Sequence, residues 1–462
     1  MFSHDDILRA TGARAKGAVD TVTSVSTDTR SLCQGALFIA LKGAKFDGHA
    51  FVQQAEQYGA VALLVQDAVA SGLPTYTVKD TLAAYQALAH YHRARFDIPV
   101  LGITGTNGKT TVKEFARALL GIHGCPHASL KNENNHIGVP KTLLGMRSCH
   151  THCVVEMGMN HPGEIAVLTR IVQPTVAVIT SVGRGHLEFL RSVDAVAEAK
   201  AEILEGLQPD GVAILPADTP YLDLLRSRAE RAGAGKIRTF GVSDEADVTF
   251  LPKSVDFTVT RGTVVNGDLV TELELQLPGE HSGINAAAAL TAVRAVMPAL
   301  TGEEIAAALG AVAPIDMRCQ VIELRGAHLV LDCYNANPES TTAALHLLAT
   351  AQCEGRRIAV IGEMLELGSA APECHREAGR TVARLGIDTL IAVGPHAHDT
   401  GMGARDAGMD PGRVHECFQV RNAAECVGAR MGAGDVVLVK ASRGMRLEGI
   451  LEQLRPTCES AA

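Results

Sequence analysis

Gly102-Ile103-Thr104-Gly105-Thr106-Asn107-Gly108-Lys109-Thr110-Thr111 is the stretch on which the fold turns. An apolar run, Ile98 to Leu101, precedes it. After it, Val112, Phe115, Ala116, Leu119 and Leu120 share one face of a helix-spaced segment. Strand, glycine-rich loop, Lys-Thr and helix in that order predict a phosphate-binding loop. Glycines let backbone N–H groups approach phosphates, and the helix N-terminus adds a favourable dipole. In that reading Lys109 meets the β- and γ-phosphates, and the Thr110 hydroxyl holds Mg²⁺. The strict G-x-x-x-x-G-K-[ST] spacing places glycine at 103, where this chain has Ile103. The plainer alternative is a glycine-rich turn.

Outward from the loop, composition narrows the class. At 462 residues the chain is too long for one ordinary core, and length alone suggests about three domains. Hydrophobic content of 47% with 20% charged residues describes a globular protein. A net charge of −9 without a long basic run argues against nucleic acid as a partner. No uninterrupted apolar stretch approaches the ~18 residues of a membrane span, and Met1 to Asp6 lacks the pattern of a signal peptide. The eleven cysteines are scattered and odd in number, which reads as reduced thiols in a cytoplasm. Cys149-His150-Thr151-His152-Cys153 holds four metal-type side chains in five residues. Running straight into a strand, it would scatter them to opposite faces, so zinc is not expected there.

An α/β protein of three units follows from the pattern. Residues 1–82 read as a small α/β unit, with apolar runs Ala36–Ala40 and Ala60–Val65 around a helical segment His49–Tyr58. Residues 83–313 read as a central phosphate-loop unit on a parallel sheet. Its strands are expected at Val100–Ile103, Val154–Val155, Val176–Ile179 and Val212–Leu215. Phe257–Leu277 alternates, with turn signals at Arg261-Gly262 and Asn266-Gly267, and predicts antiparallel hairpins. Gly283–Val296 is alanine-rich and helical. Residues 314–462 alternate strand and helix, as in a Rossmann-like open sheet.

A phosphate loop alone does not separate kinases, switches and ligases. Glu156 ends the run Val154-Val155, where a carboxylate can reach Mg²⁺ beside the loop; the alternative is a surface glutamate. His186 follows Val176–Val182, at the strand end where open α/β sheets bind ligands. Spacing alone reads Lys200 as a solvated helix lysine. Asn285 and His281 could meet a base edge, although capping of the alanine-rich helix is the plainer role for Asn285. Asp332 to Glu339 suits a ribose contact or a hinge, or a strand-to-helix turn with an N-cap.

These segments resemble the Mur ligase family of peptidoglycan synthesis over nearly the whole chain, in particular its branch that adds D-alanyl-D-alanine. The resemblance rests on Ser26-Thr27-Asp28-Thr29-Arg30, Leu37 to Gly43 and Phe46-Asp47-Gly48-His49 at the N-terminus. It continues through Gly105 to Thr111, the family's own loop variant, which accounts for Ile103. Asn132 to Pro140 and Glu156 to Ile165 are typical of the D-alanyl-D-alanine branch. The resemblance implies that the first domain binds the uridine nucleotide of a UDP-N-acetylmuramoyl-tripeptide, through Thr27, Asp28, Arg30, Lys42, Gly43, Asp47, Gly48 and His49. Asn134, Asn135, Asn335 and Asn337 are further expected substrate contacts. ATP is expected on Gly105, Thr106, Asn107, Gly108, Lys109, Thr110 and Thr111, with His281 and Asn285 at adenine, Arg318 near the phosphates and Asp332 at the ribose.

The same resemblance makes His186 a metal ligand and Lys200 a carbamate. A carbamylated lysine is an anion and can hold Mg²⁺, and its formation needs a neutral amine, which burial favours. Thr110 and Glu156 are then expected to hold one metal, and His186 with the Lys200 carbamate a second. Lys109, Lys200, His186 and Glu156 form the catalytic set. Lys440-Ala441-Ser442-Arg443 resembles the family's Lys-Gly-Ser-Arg. Arg191 and Met317 stand where relatives carry glycine, which bears on loop geometry. The implied activity is ATP-dependent amide ligation through an acyl phosphate, by a cytoplasmic monomer whose third domain closes over the second. A folylpolyglutamate synthetase-like ligase is the alternative, but Thr27-Asp28-Thr29-Arg30 argues against it. A GTPase would carry Asn-Lys-x-Asp, which is absent. A non-catalytic nucleotide-binding protein would not need the acidic and metal-type residues beside the loop.

Overall fold

In a computed structural model, which describes residues 1–43 and 46–455, the chain builds three principal sheets. The first has five strands in the order Arg14–Lys16, Thr75–Thr77, Ala60–Val65, Ala36–Ile39 and Ser24–Ser26. Its first pair is antiparallel and the others are parallel. The third has six strands: Gln320–Leu324, Ala327–Asp332, Val436–Lys440, Arg357–Ile361, Thr389–Val393 and Val414–Cys417. Only its opening hairpin is antiparallel.

The central sheet has nine strands and positions the site. Val100–Thr104 lies between Val176–Ile179 and His152–Glu156, parallel to both. Leu101 and Ile103 pack into one core with Val154, Val176 and Val178, while Val100, Val155, Ala177 and Ile179 face the opposite core. Both faces are covered, so these strands read as continuous apolar runs rather than alternating ones. On one face lies the helix Lys109–Leu120, whose Val112, Phe115, Ala116, Leu119 and Leu120 are fully buried. They sit at i, i+3, i+4, i+7 and i+8, the stripe expected of a helix packed on one side. Against it packs Glu280–Arg294, where Ala286 to Ala289 are all fully buried. Small side chains let these two helices lie close, which brings Asn285 to the phosphate loop.

Sequence and structure part at several elements. The segment His49–Tyr58 is a 3₁₀ turn, Gly48–Phe51, followed by a short helix, Val52–Gln57. Arg261-Gly262 is not a turn but lies inside the strand Thr260–Asn266. A Cβ at Gly262 would fall 2.5 Å from the Phe250 ring, so that glycine answers to close packing. The turn Asn266-Gly267 does join two antiparallel strands, Thr260–Asn266 and Leu269–Leu275. Strands at Pro126–Ala128, Gln320–Leu324 and Val414–Cys417 carry weaker apolar patterns and lie at sheet edges, and Lys236–Gly241 and Val248–Val255, also weakly patterned, lie inside the central sheet.

Arg191 and Met317 both have left-handed backbones, φ +67° and +56°. That conformation costs little for glycine and on the order of 1–3 kcal/mol for other residues. The chain therefore keeps the turns that a glycine would favour. No helix among the described residues is long and apolar enough to cross a membrane.

Candidate active site

The phosphate loop, Glu156 and the His186 loop leave the C-terminal ends of three adjacent parallel strands. This is where an open α/β sheet forms its ligand crevice. Gly105 (φ +150°) has no room for a side chain, since a Cβ would lie 1.9 Å from Thr180 Oγ1. Gly108 (φ +83°) would place one 2.3 Å from Asn285 Oδ1. From beneath, Ser181 accepts the Thr106 N–H through its carbonyl (2.9 Å) and the Asn107 N–H through its hydroxyl (2.8 Å). Lys109 Nζ donates to the Gly105 carbonyl at 2.6 Å. Burial pushes its pKa down, with Glu156 opposing and Arg318 adding to the shift.

Beside the loop, Glu156 is buried and held at both oxygens. The Thr110 hydroxyl donates to Oε2 (2.9 Å) and Asn134 Nδ2 donates to Oε1 (2.8 Å). Arg318 donates to Thr110 Oγ1 at 3.0 Å, with its guanidinium 4.3 Å from the Tyr334 ring centroid. The surface reading of Glu156 is thereby excluded. Lys200, on the helix Val193–Ala201, is also not solvated: it is fully buried and its Nζ has no hydrogen-bond partner. Burial and the Lys109 charge push its pKa well below the ordinary lysine value, against Glu202 and Glu164. An unpartnered amine that favours its neutral form fits the chemistry of carbamate formation. His186 shifts down as well, chiefly through burial, and its Nδ1 lies 2.6 Å from Glu366 Oε2. The Glu156 carboxylate with the Thr110 hydroxyl offers oxygen donors suited to one Mg²⁺, and the His186 imidazole with a carbamate on the orphaned Lys200 amine would suit a second.

Lys109, Glu156, His186, Arg318 and Tyr334 line a cavity of about 820 Å³, whereas Gly105, Thr110 and Lys200 lie behind its wall. Of the expected nucleotide residues, Thr106, Asn107, Gly108, Lys109, Thr111, His281, Asn285, Arg318 and Asp332 line it. Asn285 is the sixth residue of its helix, which excludes capping. Asp332 ends its strand and accepts from the buried Lys440 at 2.7 Å. Asn335 accepts from Lys440 through its carbonyl (2.8 Å). Asn337 caps the helix Pro338–Thr350 and exchanges two amide hydrogen bonds with Asn107, at 2.8 and 3.3 Å. It thus ties the third sheet's unit to the phosphate loop. Asn134 and Asn135 line the cavity, but Asn134 orients Glu156, and Asn135 Oδ1 accepts the Ile137 and Gly138 N–H groups.

A second cavity, about 700 Å³, is lined by Thr27, Asp28, Arg30, Lys42 and Gly43. Leu82 and His136 line both cavities, so the two adjoin. Asp47, Gly48 and His49 are not part of its wall. Asp47 caps the 3₁₀ turn and Gly48 packs against the Ala40 backbone. His49 Nε2 accepts the Gln66 and Asp67 N–H groups at 3.1 and 3.2 Å. Asp47 Oδ1 and both ring nitrogens of His49 are engaged in shaping the loop.

Several residues at the site escape a linear reading. Phe46 and Phe51, partly exposed and stacked at 5.3 Å, line the second cavity. Arg184 pairs with Glu339 of the third unit (2.8 Å). Lys113, fully buried, donates to the Ser129 and Lys131 carbonyls at 2.8 and 3.2 Å and anchors the segment leading to Asn134. Its sequence signal is weak, because Lys109, Thr110 and Arg117 stand one turn away from it on the same helix. Elsewhere, the Cys149 segment behaves differently from its linear reading. The strand begins only at His152, and Cys149 and His150 gather with Cys125 of the neighbouring strand's approach within 4.8 Å.

Comparison with known proteins places this architecture. Family models match three stretches: "Mur ligase family, catalytic domain" over 21–93, "Mur ligase middle domain" over 103–293, and "Mur ligase, glutamate ligase domain" over 317–443. A UDP-N-acetylmuramoyl-tripeptide–D-alanyl-D-alanine ligase of Bacillus subtilis is 34% identical over 453 residues, covering 97% of this chain and 96% of the relative. Among solved structures, MurF from Acinetobacter baumannii superposes with a TM-score of 0.90 at 28% identity, covering 98% of each chain. The MurF ligase of Thermotoga maritima in complex with ADP gives 0.81 at 27% identity, covering 93% of this chain and 96% of that one.

Proposed function

The chain belongs to the Mur ligase family, and from that membership we propose that it joins D-alanyl-D-alanine to UDP-N-acetylmuramoyl-tripeptide, consuming ATP and releasing ADP and phosphate. The observation that carries this reading is the pair of adjoining cavities, one around Lys109 and one around Thr27 to Arg30. A donor with a uridine nucleotide at one end and a peptide acid at the other suits that layout. Full-length likeness to D-alanyl-D-alanine ligases supports the choice of acceptor.

The residues account for the steps. A carboxylate acylates poorly because its leaving group would be oxide. Transfer of the γ-phosphoryl converts the tripeptide's terminal acid into an acyl phosphate. That step brings two anions together, and Lys109 and Arg318 offset the repulsion. Thr110 and Glu156 would hold one Mg²⁺, and His186 with carbamylated Lys200 a second. When bound, Mg²⁺ would neutralise charge on the transferring oxygens. The dipeptide's neutral amine then attacks the carbonyl, and phosphate leaves from the tetrahedral intermediate. Water would hydrolyse the acyl phosphate, and the Asn107–Asn337 and Arg184–Glu339 contacts close the third unit over the loop. Phe46 and Phe51 offer an aromatic surface for the uracil ring. The same reading sets the domains at 1–82 for the UDP-substrate, 83–313 for ATP and 314–462 for the Rossmann-like ligase domain, acting in the cytoplasm as a monomer.

The test is ADP release with UDP-N-acetylmuramoyl-tripeptide, challenged in turn with D-alanyl-D-alanine, single amino acids and glutamate. Turnover is expected with the dipeptide. Turnover with glutamate on a folate-type acceptor, and none with the dipeptide, contradicts the assignment.

A further inference from the structure

Two residues with left-handed backbones meet at the wall of the large cavity. His186 has φ +59° and Glu366 has φ +63°, conformations that residues other than glycine adopt rarely. His186 follows the central strand Val176–Ile179, and Glu366 follows Arg357–Ile361 of the third sheet. Strain of this kind persists where the surroundings hold it, and it concentrates at functional sites. Here the surroundings are each other. Glu366 Oε2 lies 2.6 Å from His186 Nδ1, and the Glu188 N–H donates to the Glu366 carbonyl at 2.9 Å. At Gly368 (φ +53°) a Cβ would stand 3.1 Å from Glu188 Cα, so the two loops are in close backbone contact.

An ionised carboxylate only accepts, so the proton of a neutral His186 sits on Nδ1. The lone pair is then on Nε2, on a side chain that lines the cavity with Lys109 and Glu156. We infer that Glu366 is a positioning residue, brought by the third unit to fix the tautomer and ring orientation of His186 for a divalent cation at Nε2. The inference rests on the proposed role of His186 as a cation ligand. It adds that the ligand is complete only when the third unit is docked. Carboxylate–histidine–metal arrangements are common, and loss of the outer carboxylate weakens metal binding by about 10–100-fold. By linkage, a cation held at His186 must favour docking to the same degree that docking favours the cation.

The experiment titrates Mn²⁺ into the full-length protein, reading the free ion by electron paramagnetic resonance. Wild type, Glu366→Ala, Glu366→Gln and His186→Ala are compared. His186→Ala is expected to lose one site. Glu366→Ala is expected to weaken that site by about 10–100-fold, and Glu366→Gln, whose amide oxygen still accepts from Nδ1, to weaken it less. Selective ¹⁵N-histidine spectra supply a metal-free readout: His186 is expected as the Nδ1–H tautomer in wild type and as a mixture in Glu366→Ala. Wild-type Mn²⁺ affinity in Glu366→Ala, alongside a lost site in His186→Ala, overturns the inference. Unchanged binding in His186→Ala overturns instead the reading of His186 as a ligand.

Discussion

Lys200→Ala is expected to lower ligase activity on the order of 10³-fold, the scale associated with losing a central electrostatic group. Lys200 is fully buried with an unpartnered Nζ, and its surroundings push it toward the neutral amine. A bare ammonium there would repel both Lys109 and a divalent cation. A neutral amine can add to CO₂ and lose a proton, giving an anion in place of a cation beside His186. Alanine removes that anion without burying a charge, so folding should survive, as a melting curve would check. Short-chain acids such as formate or acetate should restore part of the activity by supplying a carboxylate. Wild-type protein stripped of CO₂ should lose activity and regain it with bicarbonate, whereas Lys200→Ala should not respond to bicarbonate. Full activity in the alanine variant would remove Lys200 from the site.

Lys109→Ala is expected to suppress ADP release to a similar or greater extent. The donor acid and the triphosphate are both anionic, and in a site shielded from water their repulsion is little screened. Lys109 is the cation carried by the phosphate loop itself, and its bonds are to loop carbonyls, Gly105 at 2.6 Å and Thr106 at 3.2 Å. Stability should therefore change little while turnover collapses on the order of 10³-fold or more. Steady-state ADP release at saturating substrates measures this. Turnover within tenfold of wild type would make Lys109 a structural lysine.

How much of this was legible in the sequence depended on whether the signal was local. Gly105, Gly108, Lys109 and Thr110 are contiguous, and the loop they form needs no distant partner to be recognised. The buried parallel strands were equally plain, because both faces of the central sheet are covered. Lys200 was different. Its neighbours in sequence describe an ordinary helix, and only the packing of other elements around it produces a buried amine. Asn285 reads as a cap when the helix is started at Gly283, whereas the helix begins at Glu280 and the side chain meets Gly108. Gly262 looked like a turn because its neighbour Phe250 lies on another strand. The resemblance makes Asp47 and His49 expected substrate contacts, whereas their hydrogen bonds are local to one loop and to Gln66 and Asp67. The pair His186–Glu366 joins residues 180 apart in the chain, so no spacing rule could reveal it.

The most direct measurement follows oxygen. If the tripeptide's terminal carboxylate is labelled with ¹⁸O and the full reaction is run with ATP and D-alanyl-D-alanine, one labelled oxygen should appear in the inorganic phosphate for each amide bond made. Phosphate free of label, with amide formed at the normal rate, would mean that the donor acid is never phosphorylated.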